Sequence, residues 1–414
     1  MVLLVGALQF IINMIFTMAV PLAPMFSRDL GIPSQSVGVI SGAYIVASAT
    51  SSFIGVLYLD RFDRRTGLAV GILGLVAGAV MTGFAPNLPL LVASRVLTGI
   101  FSGPAYSLAI ATLIDNVPVE RRGWALGAVT GAGSLSLIVG VPFSLAVAQA
   151  FDSWRAPFFA VAGCATIIGV WGLAKLAPQR KHLSGPVAQF SSSARLRSLW
   201  DLLTRPVCAL AYLLQGVGAP PFIALSTIMP VFLVYNLGYP NSDLWLVYLV
   251  GGGSNFFILR IIGRLADRFG ATPNALGMTA ILSLVICFGY LGLNPGLPLL
   301  PIFSLFFVTN SARSILIQTT TMRIPKPAER AGFQALGQSI QSMSMGLTAM
   351  SITYLVGSAP DGRLLGVGPL AEGILAVVWM FPLLLYWVER ILDRQHKSDE
   401  AGPESIAALE NTAI

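Results

Sequence analysis

Gly263-Arg264-Leu265-Ala266-Asp267-Arg268-Phe269-Gly270 is a charged turn set between two long apolar runs. A worn copy lies earlier, Gly55-Val56-Leu57-Tyr58-Leu59-Asp60-Arg61-Phe62-Asp63-Arg64-Arg65, and the aspartates Asp60 and Asp267 stand 207 residues apart in a chain of 414. A second loop repeats at an offset of 209: Pro118-Val119-Glu120-Arg121-Arg122-Gly123-Trp124 returns as Pro327-Ala328-Glu329-Arg330-Ala331-Gly332-Phe333. Two separate charged loops recurring at nearly one offset mark a duplicated chain.

Composition says where that chain lives. Hydrophobic residues make up 55% and charged residues only 10%, far below the roughly 25% charged of soluble proteins. Apolar stretches of helix length fall at about 3–26, 36–59, 66–85, 88–114, 123–150 and 156–176, then at 206–236, 244–263, 274–293, 297–322, 332–357 and 369–389. Six plus six long apolar runs define an all-α membrane protein, with twelve transmembrane helices in two pseudo-symmetric six-helix bundles. The halves are residues 1–176 and 206–390. Residues 177–205 form a linker and 391–414 a tail, polar from Asp393 and expected to be disordered. Within the linker, the spacing of Leu196, Leu199, Trp200 and Leu203 predicts a short amphipathic helix lying on the membrane surface. The first run starts without a basic leader and is read as a span. Cys164, Cys208 and Cys287 fall inside apolar runs, as packing residues and not as disulfide partners.

The net charge of +7 is an orientation signal, not a nucleic-acid signal. With the amino terminus inside, twenty Lys and Arg fall on inner loops and the tail, and only Arg28, Arg155 and Arg363 on outer loops. That bias places both termini in the cytoplasm, with the protein multi-pass in the inner (plasma) membrane.

The Gly-x-Leu-Ala-Asp-Arg-x-Gly loop, between spans two and three and again between eight and nine, resembles the signature of the major facilitator superfamily over residues 1–390. The resemblance implies two halves rocking about a central cavity that opens alternately to either side. It also implies a conformational latch at Asp60, Arg61, Arg64 and Arg65, with the aspartate set against the start of span eleven near Gly332. Asp115, with Arg121 or Arg122, would complete the charge cluster, and Gly263, Asp267, Arg268 and Gly270 form the second copy. The alternative is that these arginines only fix topology.

Span four carries Leu91-x-x-x-Arg95-x-x-x-Gly99 and then Gly103-Pro104, which resembles the arginine motif of proton-coupled members. Arg95 lies roughly 10 Å deep and must face protein or water; pairing with carbonyls of span one is the competing use. Gly99 and Gly103 suit close helix packing. Span five, with Gly127, Gly131, Gly133 and Gly140-Val141-Pro142, precedes Trp154-Arg155-x-x-Phe158 and resembles the twelve-span drug and sugar efflux branch. It departs from that pattern in the residue between Gly140 and Pro142 and in Ser153 before Trp154. Gly140 and Pro142 equally suit a kinked, tightly packed span.

Polar residues recur within the spans: Gln9 and Asn13, Gln215, Asn255, Asn310 and Arg313, and Gln334, Gln338 and Gln341 on one face of span eleven. Any one of them suits interhelical hydrogen bonding; together they suggest a polar cavity. Family resemblance puts spans one, four, seven and ten around it, with Arg313 as the expected substrate contact. Two arginines without a neighbouring carboxylate favour an anionic or polyhydroxyl substrate. Glu372 is the one acidic residue taken as lying within a span, too near the outer boundary to serve as the coupling site. No phosphate loop, metal cluster or nucleophile–base set is present, so no cofactor and no enzyme chemistry are expected.

The reading is a proton-coupled secondary efflux transporter for a small molecule, working as a monomer in the bilayer. The alternatives are an uptake carrier for a small anionic solute, an ATP-driven permease, which the duplicated loops disfavour, and a non-transporting module of the same fold.

Overall fold

The computed structural model describes residues 1–59, 62–118, 121–176, 192–293, 296–325 and 329–400. The twelve spans are present as helices. Among the described residues nine of them are long and apolar enough to cross a bilayer on their own composition. The other three differ in kind. Val2–Thr17 is apolar but short, because Pro21 has no N–H to continue the ladder and the chain turns before resuming at Ala23–Leu30. Arg330–Leu355 carries glutamines and serines that dilute its hydropathy, and Leu244–Phe269 includes side chains outside the described residues.

Spans five and seven are also interrupted. Span five runs as Arg122–Leu135, a π-turn Ser136–Gly140 and Val141–Ala150, with Pro142 just inside the last segment. The wide turn absorbs the hydrogen bond that Pro142 cannot donate. Span seven breaks at Ala219, before Pro220-Pro221, into Pro206–Gly218 and Pro220–Val231, and ends in a π-turn, Phe232–Asn236.

The duplicated sequence is a duplicated packing scheme. Span four packs on two and three, three on six, and one on five and six. In the second half ten packs on eight and nine, nine on twelve, and seven on eleven and twelve. Each pair is the counterpart of one in the first half. The halves meet along two further pairs, two with eleven and five with eight, which exchange under the same operation.

Near the loops Pro86-Asn87 and Gly238-Tyr239, the far end, one continuous apolar core runs through both halves, from Ile40, Leu145 and Trp154 to Leu225, Phe306 and Val367. Toward the opposite, arginine-rich end the cores part: Leu8, Leu68, Leu108 and Val129 in the first half, and Leu214, Ala275, Leu316 and Leu385 in the second. Among the described residues the bundle is therefore closed at the far end and split at the basic end.

Two elements differ from the pattern read in the sequence. The chain continues helical from Val367 to Glu400, past the expected start of the tail at 391. No Gly or Pro interrupts residues 391–400. The linker helix, Ser192–Thr204, lies on protein. Leu202 is buried and Leu199 and Leu203 are partly buried among Tyr212, Phe333 and Leu336 of spans seven and eleven. Trp200, expected beside Leu199 and Leu203, is 66% exposed and faces away. Residues 177–191 and 401–414 lie outside the described residues, as do Asp60 and Arg61.

Candidate functional site

The far end is a gate built by reciprocal contacts. The helix Val37–Tyr58 has no side-chain cap of its own, and its first N–H groups need acceptors. Thr353 of span eleven supplies one: its hydroxyl accepts from the Val39 N–H at 3.1 Å and donates to the Gln35 carbonyl at 3.1 Å. The Ser358 hydroxyl accepts from the Gln35 N–H at 3.2 Å. Ser358 belongs to a two-rung antiparallel hairpin, Gly357–Ser358 with Leu364–Leu365, held by Asn236 at both the N–H and the carbonyl of Leu364. Tyr235 donates to the Pro24 carbonyl, and Gln149 to the carbonyls of Asn241 and Ser242.

Below these bonds the two backbones touch. A Cβ on Gly38 would meet the Ala349 carbonyl at 2.4 Å, and one on Gly42 the Gly346 carbonyl at 2.7 Å. None of these gate residues was singled out in the sequence. Small residues four apart on span two, Gly38 and Gly42, and three apart on span eleven, Gly346 and Ala349, were the available signal.

Arg95 is 1% exposed. It donates to the Ile15 carbonyl at 3.1 Å, and its guanidinium lies 4.7 Å from the centre of the Tyr44 ring. Tyr44 packs in turn with Ile223 and Ala349 of the other half. The arginine is thus tied to span one and placed behind the gate. Gly99 and Gly103 bring span four against span two: a Cβ on Gly99 would lie 2.5 Å from the Tyr44 carbonyl, and one on Gly103 2.4 Å from that of Ser48. Gly140 packs against Met14. Trp154 and Phe158 close around Phe26, while Arg155 donates to the Ala85 carbonyl.

The amides take varied places. Gln9 bridges spans one and four by donating to the Tyr106 carbonyl at 3.2 Å, and Asn13 bonds back to Gln9 beside Gly133. Gln215 packs on Gly337 of span eleven. Asn310 bonds its own helix at Phe306. Gln338 is exposed and reaches Ser342, and Gln341 is half-buried. The side chain of Asn255 lies outside the described residues.

Arg313 does not join this set. On span ten the half-buried or exposed positions Ser311, Ile315 and Gln318 form one strip, and Arg313 is about half a turn away from it. Its guanidinium is buried at the back of the helix, 4.6 Å from the centre of the Phe381 ring on span twelve. Glu372 is exposed near the far end.

At the basic end Asp115 pairs with Arg64 at 2.7 Å, joining spans three and four; of the two partners expected from the sequence, Arg121 is exposed and the side chain of Arg122 lies outside the described residues. Asp63, which replaces the second motif glycine in the first copy, accepts from the Arg65 N–H at 3.0 Å and caps the helix Arg64–Gly83. In the second copy Gly263 and Arg268 lie in the helix Leu244–Phe269, and the Arg268 guanidinium lies over Phe269. Gly270 takes φ +83°, open to glycine, and starts the next helix. The side chain of Asp267 is outside the described residues.

The carboxylate seen at that helix start is Glu389 of span twelve. It accepts from the N–H groups of Ala271 and Thr272 at 3.1 Å each and from the Thr272 hydroxyl. It stands at the last position of an apolar run, where a carboxylate reads in sequence as a boundary residue. Glu329 pairs with Arg205 at 2.7 Å across spans eleven and seven and holds that guanidinium above its ordinary value.

Among the described residues no three His, Cys, Asp or Glu are gathered to hold a metal ion. Two six-helix halves, sealed at one end and parted at the other around polar spans, define a membrane carrier and not an enzyme. The chain belongs to the Major Facilitator Superfamily, whose family pattern matches residues 5–349. It is 26% identical over 364 residues to the chloramphenicol resistance protein of Streptomyces lividans, covering 86% of this chain and 88% of that one. It is 24% identical over 326 residues to a probable sugar efflux transporter of Mannheimia succiniciproducens, covering 78% of each. The fold matches the crystal structure of a D-xylose-proton symporter with a TM-score of 0.76 at 14% identity, over 93% of this chain and 96% of that one.

Proposed function

We propose that this transporter exports a small polar, hydroxyl-rich or anionic solute across the inner membrane, driven by the proton gradient and working as a monomer by alternating access. The observation that carries the reading is the split at the arginine-rich end under a hydrogen-bonded far gate. The concentration of Lys and Arg at the split end supports a cytoplasmic placement with both termini inside, and in that orientation the split end is the loading side of an exporter. Export is supported by the glycine- and proline-bearing span five and by relatives named for drug resistance and sugar efflux. A polar substrate without fixed positive charge is supported by the amides of spans one and eleven. Asp60 and Arg61 act as the latch of the alternative, outward-facing state.

The test is retention of radiolabelled sugars and of chloramphenicol in cells with and without the protein, with and without an uncoupler. Lower retention that the uncoupler abolishes is expected. Higher retention in expressing cells would make the carrier an importer, and equal retention of every compound would sink the export reading.

A further inference from the structure

Arg313 and Arg95 are each 1% exposed, but only Arg95 has a tether. Nε, Nη1 and Nη2 of Arg313 have no hydrogen-bond partner. The Phe381 ring covers one face of its guanidinium at 4.6 Å and leaves the N–H rim free. A guanidinium is a donor-only group with five N–H bonds, and burying one without acceptors costs several kcal/mol or more. A cation–π contact offsets only about 2 kcal/mol of that.

A second polar atom at the same height has no partner. Thr279 of span nine is fully buried and its Oγ1 makes no hydrogen bond. Thr98, Thr112 and Thr321 bond back to their own helix; Thr227 of span seven is the other buried helical threonine without a partner among the described residues. The heights follow from Glu389, which ties the end of span twelve to Thr272. Seven residues from Thr272 reach Thr279, and eight back from Glu389 reach Phe381. At about 1.5 Å per residue these climbs are roughly 10 and 12 Å. Phe381 touches Arg313, so all three share one layer where spans nine, ten and twelve pack together. Ile302, three turns from Arg313 on the same face of span ten, packs against Gly289 of span nine, so that face is turned to span nine. The small side chains of Ala275 and Ala312 belong to the same core. Among the described residues no carboxylate pairs with Arg313.

We propose that this layer holds a resident small monovalent inorganic anion of the chloride class, bound by the N–H rim of Arg313 and the hydroxyl of Thr279. The chemistry selects the ligand. A fixed positive charge with unfilled donors calls for an acceptor carrying negative charge, and nearly complete burial restricts it to an ion that can shed its water. The site is distinct from the cargo path, since Arg313 points away from the polar strip of span ten. The ion would neutralise the core of the second half, letting that half move as one body.

The experiment uses purified full-length protein in detergent, without a gradient or substrate, and reads Tm as chloride replaces gluconate at constant ionic strength. Wild type is expected to gain Tm saturably with chloride, and with bromide likewise. Arg313→Gln should lose the dependence, while Arg95→Gln keeps it. Thr279→Val should raise the chloride midpoint about fivefold, the loss of one hydrogen bond; this variant decides the matter if Arg313→Gln does not fold. Equal Tm in chloride and gluconate, full dependence in Arg313→Gln (an adventitious ion only), or an unchanged midpoint in Thr279→Val would overturn the proposal. Chloride flux through proteoliposomes at the transport rate would make the ion cargo and overturn it too. Because no export is measured, failure here leaves the export reading standing, and failure of export leaves this site standing.

Discussion

Replacing Thr353 by valine should open the far gate. Valine keeps the branched shape, so the packing of span eleven on span two is preserved while the hydroxyl is lost. Two hydrogen bonds go with it, the Val39 N–H to Thr353 and Thr353 to the Gln35 carbonyl, both 3.1 Å. At roughly 0.5–1.5 kcal/mol each, they stabilise the closed gate by about 2 kcal/mol. Once the gate opens, water can take over both backbone groups, so the loss falls on the closed state alone. A change of that size moves the closed-to-open ratio roughly 30-fold.

The assay places a cysteine at Ile45, which packs in the seam with Ile223 and Ala349, in a background lacking Cys164, Cys208 and Cys287. Labelling by a membrane-impermeant thiol reagent from the far side then reports the open population. Thr353→Val should speed labelling by about that factor, and Thr353→Ser, which keeps the hydroxyl, should leave it near wild type. If valine and serine label alike at matched folding, Thr353 caps nothing that matters to the cycle.

Four further outcomes follow from the same geometry. Gly42→Ala should also favour the open gate, since its methyl would meet the Gly346 carbonyl at 2.7 Å; faster far-side labelling of Ile45→Cys checks it. Glu389→Gln should lower stability by about 1–2 kcal/mol, seen as a fall in Tm in detergent, because an amide cannot match a carboxylate at the start of span nine. Asp60→Asn should slow transport at matched expression with substrate binding retained, and wild-type turnover would reduce the loop to a topology signal. Reporter fusions after Arg197, Arg268 and Arg394 should read cytoplasm and those after Pro86, Gly238 and Gly362 the outside; one interior reversal would dismantle the orientation.

Much of the architecture was legible because membrane insertion acts on long local stretches. Twelve apolar runs, their turn residues and the two loop repeats lie within short windows of sequence, and hydrocarbon length fixes what each must become. Gly99 and Gly103 of span four and Gly140 of span five were legible for the same reason, since a missing side chain permits close approach whichever neighbour arrives. Partner choice was not legible. Asp115 stands near Arg121 and Arg122 in sequence, yet packing of spans three and four delivers it to Arg64. Arg313 shares a helix with Ser311, but two residues, about 200° around the helix, turn it from the half-buried strip to the core behind. Trp200 sits among the linker leucines, yet docking onto spans seven and eleven uses Leu199, Leu202 and Leu203. Glu389 and Thr353 became visible only when spans far apart in sequence met at their ends, 117 and 314 residues from the N–H groups they serve. Sequence determined which stretches cross the membrane, because burial in lipid is a property of each stretch. Tertiary structure decided which side chain serves which helix end, because a hydrogen bond is set by distances of a few ångströms between chains that only folding brings together.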